Sequence, residues 1–163
     1  MLNNEQILLV EDEEDDVLLI QRAFRKSGVK DNVMVVRDGE QAIAYLAGTG
    51  EYEDRERFPR PFLVLLDLKL PGKDGFEVLR WIRSQRGLKN LIVVVLSGSN
   101  YEDEERIAHE LGANTFLVKP CAFHKLVMMI EEHRDSWFPP ARPRSSRRSR
   151  PKVALFVEAA KCA

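Results

Sequence analysis

Five short apolar runs organise this sequence: QILLV (6–10), VMVV (33–36), FLVLL (62–66), LIVVVL (91–96) and TFLV (115–118). Runs of four to six residues, rich in Val, Ile and Leu and breaking off into polar residues, suit strands covered on both faces. Helical patterns fill the gaps. Asp15 to Ser27 spaces Val17, Ile20, Ala23 and Phe24 at helical intervals, with Gly28 where a C-terminal cap belongs. Asp38 is the expected N-cap of GEQAIAYLA, which Gly48 closes. Asp74 opens a helix carrying Phe76, Leu79, Trp81 and Ile82, and Glu102 to Leu111 reads as a helix stopped by Gly112. A last helix spans Phe123 to Trp137, after which Pro139 and Pro140 forbid continuation. Strands alternating with helices predict an α/β chain with a parallel sheet clothed on both faces. Segment 48–61, GTGEYEDRERFPRP, is long and charged and is expected to be a surface excursion.

In an open parallel sheet, ligands sit outside the carboxyl ends of the strands, where the strand order reverses. The first strand delivers Glu11 and Asp12 there, the third Asp67, the fourth Ser97 and the fifth Lys119 followed by Pro120. Asp67 lies directly against five apolar residues, Phe62 to Leu66, where desolvating a lone charge costs about several kcal/mol. Three carboxylates within about 4 Å repel pairwise by roughly 4 kcal/mol at an effective dielectric near 20. Lys119 neutralises one of them, and a hard divalent cation with oxygen ligands, best matched by Mg²⁺, answers the rest. A carboxylate so placed can attack a phosphoryl group and carry it as an acyl phosphate. Lys119 would then pair with one phosphoryl oxygen and the Ser97 hydroxyl with another. The bland alternatives are a solvated strand-end acid at Asp67, helix-starting acids at Glu11 and Asp12, and an N-cap role for Ser97. Glu13 to Asp16 are read as such helix-starting acids.

At these residues the chain resembles the receiver domain of two-component response regulators. ILLVEDEEDD, LLDLKLPGKDG, VVLSGS and FLVKP occur in order, each at a strand end, over about residues 5–137. The resemblance implies a flavodoxin-like (βα)5 fold with strand order 2-1-3-4-5 and phosphorylation of Asp67 by a histidine kinase. It implies Mg²⁺ held by Asp12, Asp67 and the backbone carbonyl of Lys69, with Glu11 acting through water. Ser97 and Phe116 take the positions of the family's switch pair, and the Lys119–Pro120 bond is expected to be cis. The output face would be helix 102–111, strand 115–118 and helix 123–137, through which the family often dimerises. Glu11 departs from the Asp of many members, an exchange that keeps the metal-binding oxygen. VEDEEDD, the acidic loop before the third strand and RDGEQAIAYL are similar to short single-domain regulators paired with phytochrome-type kinases. Such a domain is a phosphoacceptor that catalyses its own phosphoryl uptake and slow hydrolysis, not an enzyme in the usual sense.

Charge divides the chain. Residues 139–163 hold seven Lys and Arg against Glu158, for +6, which leaves −7 on the remainder of a chain whose net charge is −1. The expected organisation is therefore a receiver at 1–138 and a basic tail at 139–163 that cannot build a core. Without interleaved aromatics or a recognition helix, the tail is better read as a solubilising linker than as a nucleic-acid or anionic-surface binder. The latter remains the competing function. Nothing in the sequence approaches the roughly 18 apolar residues of a membrane span, and no basic n-region precedes the first apolar run. Cys121 and Cys162 have no metal or redox spacing, and His109, His124 and His133 no ligand spacing. A cytoplasmic location is expected.

Overall fold

The computed structural model describes residues 6–29, 32–99, 101–119 and 122–137. The Lys119–Pro120 bond, both cysteines and the 139–163 tail lie outside the described residues. The chain divides into two compact units, residues 1–132 and 133–163, and the sheet and its site belong to the first.

Five strands, β1 (Ile7–Val10), β2 (Val33–Val36), β3 (Leu63–Asp67), β4 (Ile92–Ser97) and β5 (Thr115–Val118), form one parallel sheet in the order β2-β1-β3-β4-β5. Five helices connect and follow them: α1 (Glu14–Lys26), α2 (Gly39–Ala47), α3 (Gly75–Ser84), α4 (Glu102–Glu110) and α5 (Phe123–Trp137). This is the expected flavodoxin-like arrangement. β1 and β3 are buried along their whole length, whereas β5 at the edge is half-buried, which is why the central strands are the most purely apolar.

Alternate residues of each strand feed opposite faces. Leu8, Val10, Val64, Leu66, Val93 and Val95 pack with Tyr45 of α2, Val78, Leu79 and Ile82 of α3 and Ala108 of α4. On the other face Ile20 of α1, Leu96 of β4 and Leu126 of α5 line one small cavity. Capping follows the sequence closely. Asp38 accepts from the Gln41 N–H, Gly48 ends α2 at φ 69°, and Asp74 with Glu77 forms a reciprocal capping box at the start of α3.

β3 and β4 each run one residue further than the apolar pattern predicts. The ladder pairs Asp67 with Leu96 and Ser97 with Val118, and it continues through Leu68 N–H to Leu96 C=O (3.2 Å) and Lys119 N–H to Ser97 C=O (2.7 Å). Asp67 and Ser97 are thus the last residues of strands, with backbones fixed by the sheet. The chain then turns back tightly. Gly75 N–H donates to Leu68 C=O (3.0 Å), and a Cβ at Gly75 would collide with the Asp67 carbonyl oxygen. The second glycine of LPGKDG is what lets α3 begin this close to the end of β3.

The 48–61 segment is the surface excursion expected of it, with most of its charged residues exposed, but it is tied down. Tyr52, in a 3-10 turn at Gly50–Tyr52, is buried, and its ring meets those of Tyr45 (5.1 Å between centroids) and Phe58 (5.2 Å). The Arg55 guanidinium donates to the carbonyls of Tyr45 (2.8 Å), Leu46 (2.9 Å) and Phe58 (3.3 Å), and the Tyr45 hydroxyl donates to Pro59 C=O (2.8 Å). Two aromatic anchors and one arginine, scattered among charges, tie the loop to the C-terminus of α2. Arg55→Ala should therefore cost about 1–3 kcal/mol by removing the donors that the Leu46 and Phe58 carbonyls share with Tyr45, measured as a lowered urea midpoint with an unchanged m-value.

Candidate functional site

The carboxyl ends of β1, β3 and β5 meet around the Lys119 ammonium. Its Nζ donates to Glu11 Oε2 at 2.5 Å, to Asp16 Oδ2 at 3.0 Å and to Asp67 Oδ2 at 3.0 Å. Glu11 and Asp67 are 0% and 4% exposed. The remaining oxygens are met locally: Glu11 Oε1 accepts from the Glu13 N–H (3.1 Å) and Asp67 Oδ1 from the Lys69 N–H (3.2 Å). Glu11, Asp12 and Asp67 each bring a carboxylate oxygen within 4.8 Å of the others, with Asp12 exposed at the mouth. Four carboxylates against one ammonium leave an excess of negative charge.

The ionisation of the buried acid reflects its burial first and the neighbouring charge second. Burial pushes the Glu11 carboxyl up from 4.5 to about 7; the Lys119 hydrogen bond opposes the rise and the Asp67 charge adds to it. For Lys119, burial works to lower the pKa, but the hydrogen bond to Glu11 and the charges of Asp67 and Glu11 outweigh it and hold the ammonium well above the usual lysine range. A set of carboxylate oxygens that one ammonium cannot neutralise fits a hard divalent cation.

Ser97, 1% exposed at the end of β4, meets an acid of α4. Its Oγ donates to Glu104 Oε2 of α4 (2.7 Å), and Ser99 Oγ donates to the same oxygen (2.6 Å). Gly98 between them is open on its Cβ side. Phe116 on β5 is half-buried against the core. Ser97 is not an N-cap, because α4 begins after Tyr101, which makes no side-chain cap.

Sequence reasoning therefore brings Glu11, Asp12, Asp67 and Lys119 together correctly and misses two acids, Asp16 and Glu104. Asp16, read as a helix-starting acid, does lie in the first turn of α1 and is also a direct partner of Lys119. A signal was available for both. Asp16 stands four residues before buried Ile20, and Glu104 four before buried Ala108, so each lies on its helix's inward stripe.

This sheet with its carboxylates, hydroxyl and lysine at one rim defines a class. Residues 7–131 match the response regulator receiver domain, and the chain belongs to that family of two-component signalling domains, in which phosphorylation of an aspartate and Mg²⁺ are general. Among its relatives, the response regulator Rcp1 of Synechocystis sp. is 41% identical over 131 residues, covering 80% of this chain and 87% of that protein. The crystal structure of the Mn²⁺-bound form of Rcp1 superposes with a TM-score of 0.73 at 39% identity, covering 84% of this chain and 96% of that one. The phosphorylated cyanobacterial phytochrome response regulator RcpA does so with a TM-score of 0.76 at 42% identity and the same coverage. Among the described residues no helix is long and apolar enough to cross a membrane.

The Glu11 shift has a consequence for stability. Between pH 4.5 and about 7 the folded protein keeps a proton on Glu11 that the unfolded chain has released, so stability falls as pH rises through that window. Without divalent ions, Glu11→Gln should stabilise the protein at pH 8 by about 1–3 kcal/mol. The gain should shrink towards zero by pH 5 in parallel urea titrations.

Proposed function

We propose that this chain is a stand-alone response regulator that accepts a phosphoryl group on Asp67 from a histidine kinase. The observation that carries this is the burial of Asp67 beside Glu11, with Oδ2 on the Lys119 ammonium and Oδ1 on the Lys69 N–H. An Asp67 oxygen attacks phosphorus in line, the P–N bond of the phosphohistidine breaks, and the imidazole departs with the electron pair. Lys119 exchanges its bond to Asp67 for one to a phosphoryl oxygen, and the Ser97 hydroxyl donates to another. Asp12, Asp67 and the Lys69 carbonyl would hold Mg²⁺, with Glu11 acting through water. The ion supplies charge neutralisation for the transferring group.

The output is read on the face formed by α4, β5 and α5, where Phe116 repacks as Ser97 is drawn to the phosphate. Val118 and Met128 are exposed, which supports a protein partner or a second copy of the chain as the reader. The likeness to Rcp1 and RcpA supports a phytochrome-type kinase as the donor and a cytoplasmic setting. Slow hydrolysis of the acyl phosphate returns the domain to rest. The receiver occupies residues 1–138, and 139–163 is its basic appendage.

Asp67→Asn should take up no label from a small acyl phosphodonor with Mg²⁺, while Lys119→Ala should still be labelled but leave the α4–β5–α5 face unchanged by amide NMR. Undiminished labelling of the Asn variant would place the acceptor elsewhere.

A further inference from the structure

Around Ser97 there are three oxygens and only two protons. Ser97 Oγ and Ser99 Oγ lie 3.0 Å apart, and each is within hydrogen-bond distance of Glu104 Oε2, at 2.7 and 2.6 Å. A carboxylate is a stronger acceptor than a hydroxyl, so both protons go to Glu104. A serine hydroxyl has one proton to give. Ser97 also receives the Ser99 N–H (3.1 Å), which fixes the orientation in which it makes that gift.

The acceptor sits in the first turn of a lightly held helix. α4 has no side-chain N-cap, opens with Glu102, Asp103, Glu104 and Glu105, and buries only Ala108. A single carboxylate oxygen thus ties the start of α4 to the end of β4.

We propose that Glu104 is a positioning residue that latches the unphosphorylated state by holding the Ser97 proton that a phosphoryl group on Asp67 would need. The latch rests on the reading of Ser97 as a phosphoryl ligand. Ser97 cannot donate to Glu104 and to a phosphoryl oxygen at once, so the two anions compete for one hydroxyl. When the phosphate wins, Glu104 keeps Ser99 alone, and its bond to the last residue of β4 is lost. Phosphorylation at the rim is thereby coupled to release of α4 through one proton.

Binding of beryllium fluoride with Mg²⁺, a phosphoryl mimic, tests this on the full chain by titration of the wild type, Glu104→Ala, Ser97→Ala and the double variant. Glu104→Ala should bind the mimic about tenfold more tightly, the order set by removing one competing charge-assisted hydrogen bond. Ser97→Ala should bind it more weakly, and Glu104→Ala should then add nothing in the Ser97→Ala background. A gain of equal size in both backgrounds, or no gain where Ser97 is present, overturns the latch while leaving Ser97 as a ligand. An affinity that Ser97→Ala leaves untouched overturns the Ser97 reading and the latch with it. Should Glu104→Ala fail to fold, Glu104→Gln keeps the shape, weakens the acceptor and carries the same comparison with a several-fold gain.

Discussion

The Lys119 ammonium, shared by Glu11, Asp16 and Asp67, is the interaction on which the rest of this molecule depends. It joins residues more than a hundred positions apart in sequence and draws the ends of three strands and the first turn of α1 to one point. The pairing is incomplete, with one cation facing more carboxylate than it can neutralise; burial raises the Glu11 pKa, and the Asp67 charge adds to the rise. Stability is given up at the rim so that the site stays receptive to further positive charge. Folded proteins have only about 5–15 kcal/mol of net stability, so an acid cluster of this kind needs the fully apolar strands beneath it.

Those strands explain how much could be read from residues alone. β2, α2, β5 and α5 fall where the apolar runs and their punctuation put them, because Asp38, Gly48 and Gly112 act through local backbone chemistry that needs no tertiary partner. The convergence of Glu11, Asp67 and Lys119 follows from topology, since parallel strands deliver their ends to one edge. Asp16 and Glu104 escaped because each is embedded in an acid-rich first turn, where a run of charge is explained by the helix dipole and the inward member is hidden among outward ones. Tyr52 and Phe58 escaped for the opposite reason: an irregular loop has no period, so nothing in its pattern marks which residues turn inward.

The two missed acids act on opposite sides of Asp67. Asp16 reaches it through the lysine from α1, and Glu104 reaches the serine from α4. Each is a carboxylate placed one helical turn before a buried apolar residue, so the packing that seats the helix also aims the charge. Helix docking and the electrostatics of the rim are therefore one problem in this chain.

Asp67 terminates a middle strand, gripped by β1 on one flank, by β4 on the other and from beyond by the start of α3, which Gly75 brings against its carbonyl. A side chain anchored so firmly is an anvil: whatever lands on it must be answered by neighbours that yield. On the β1 side an arginine staples the loop after α2 to the end of that helix. On the β4–β5 side β5 is half-buried and α4 buries Ala108 alone, so a rearrangement that begins at Asp67 meets light packing in that direction.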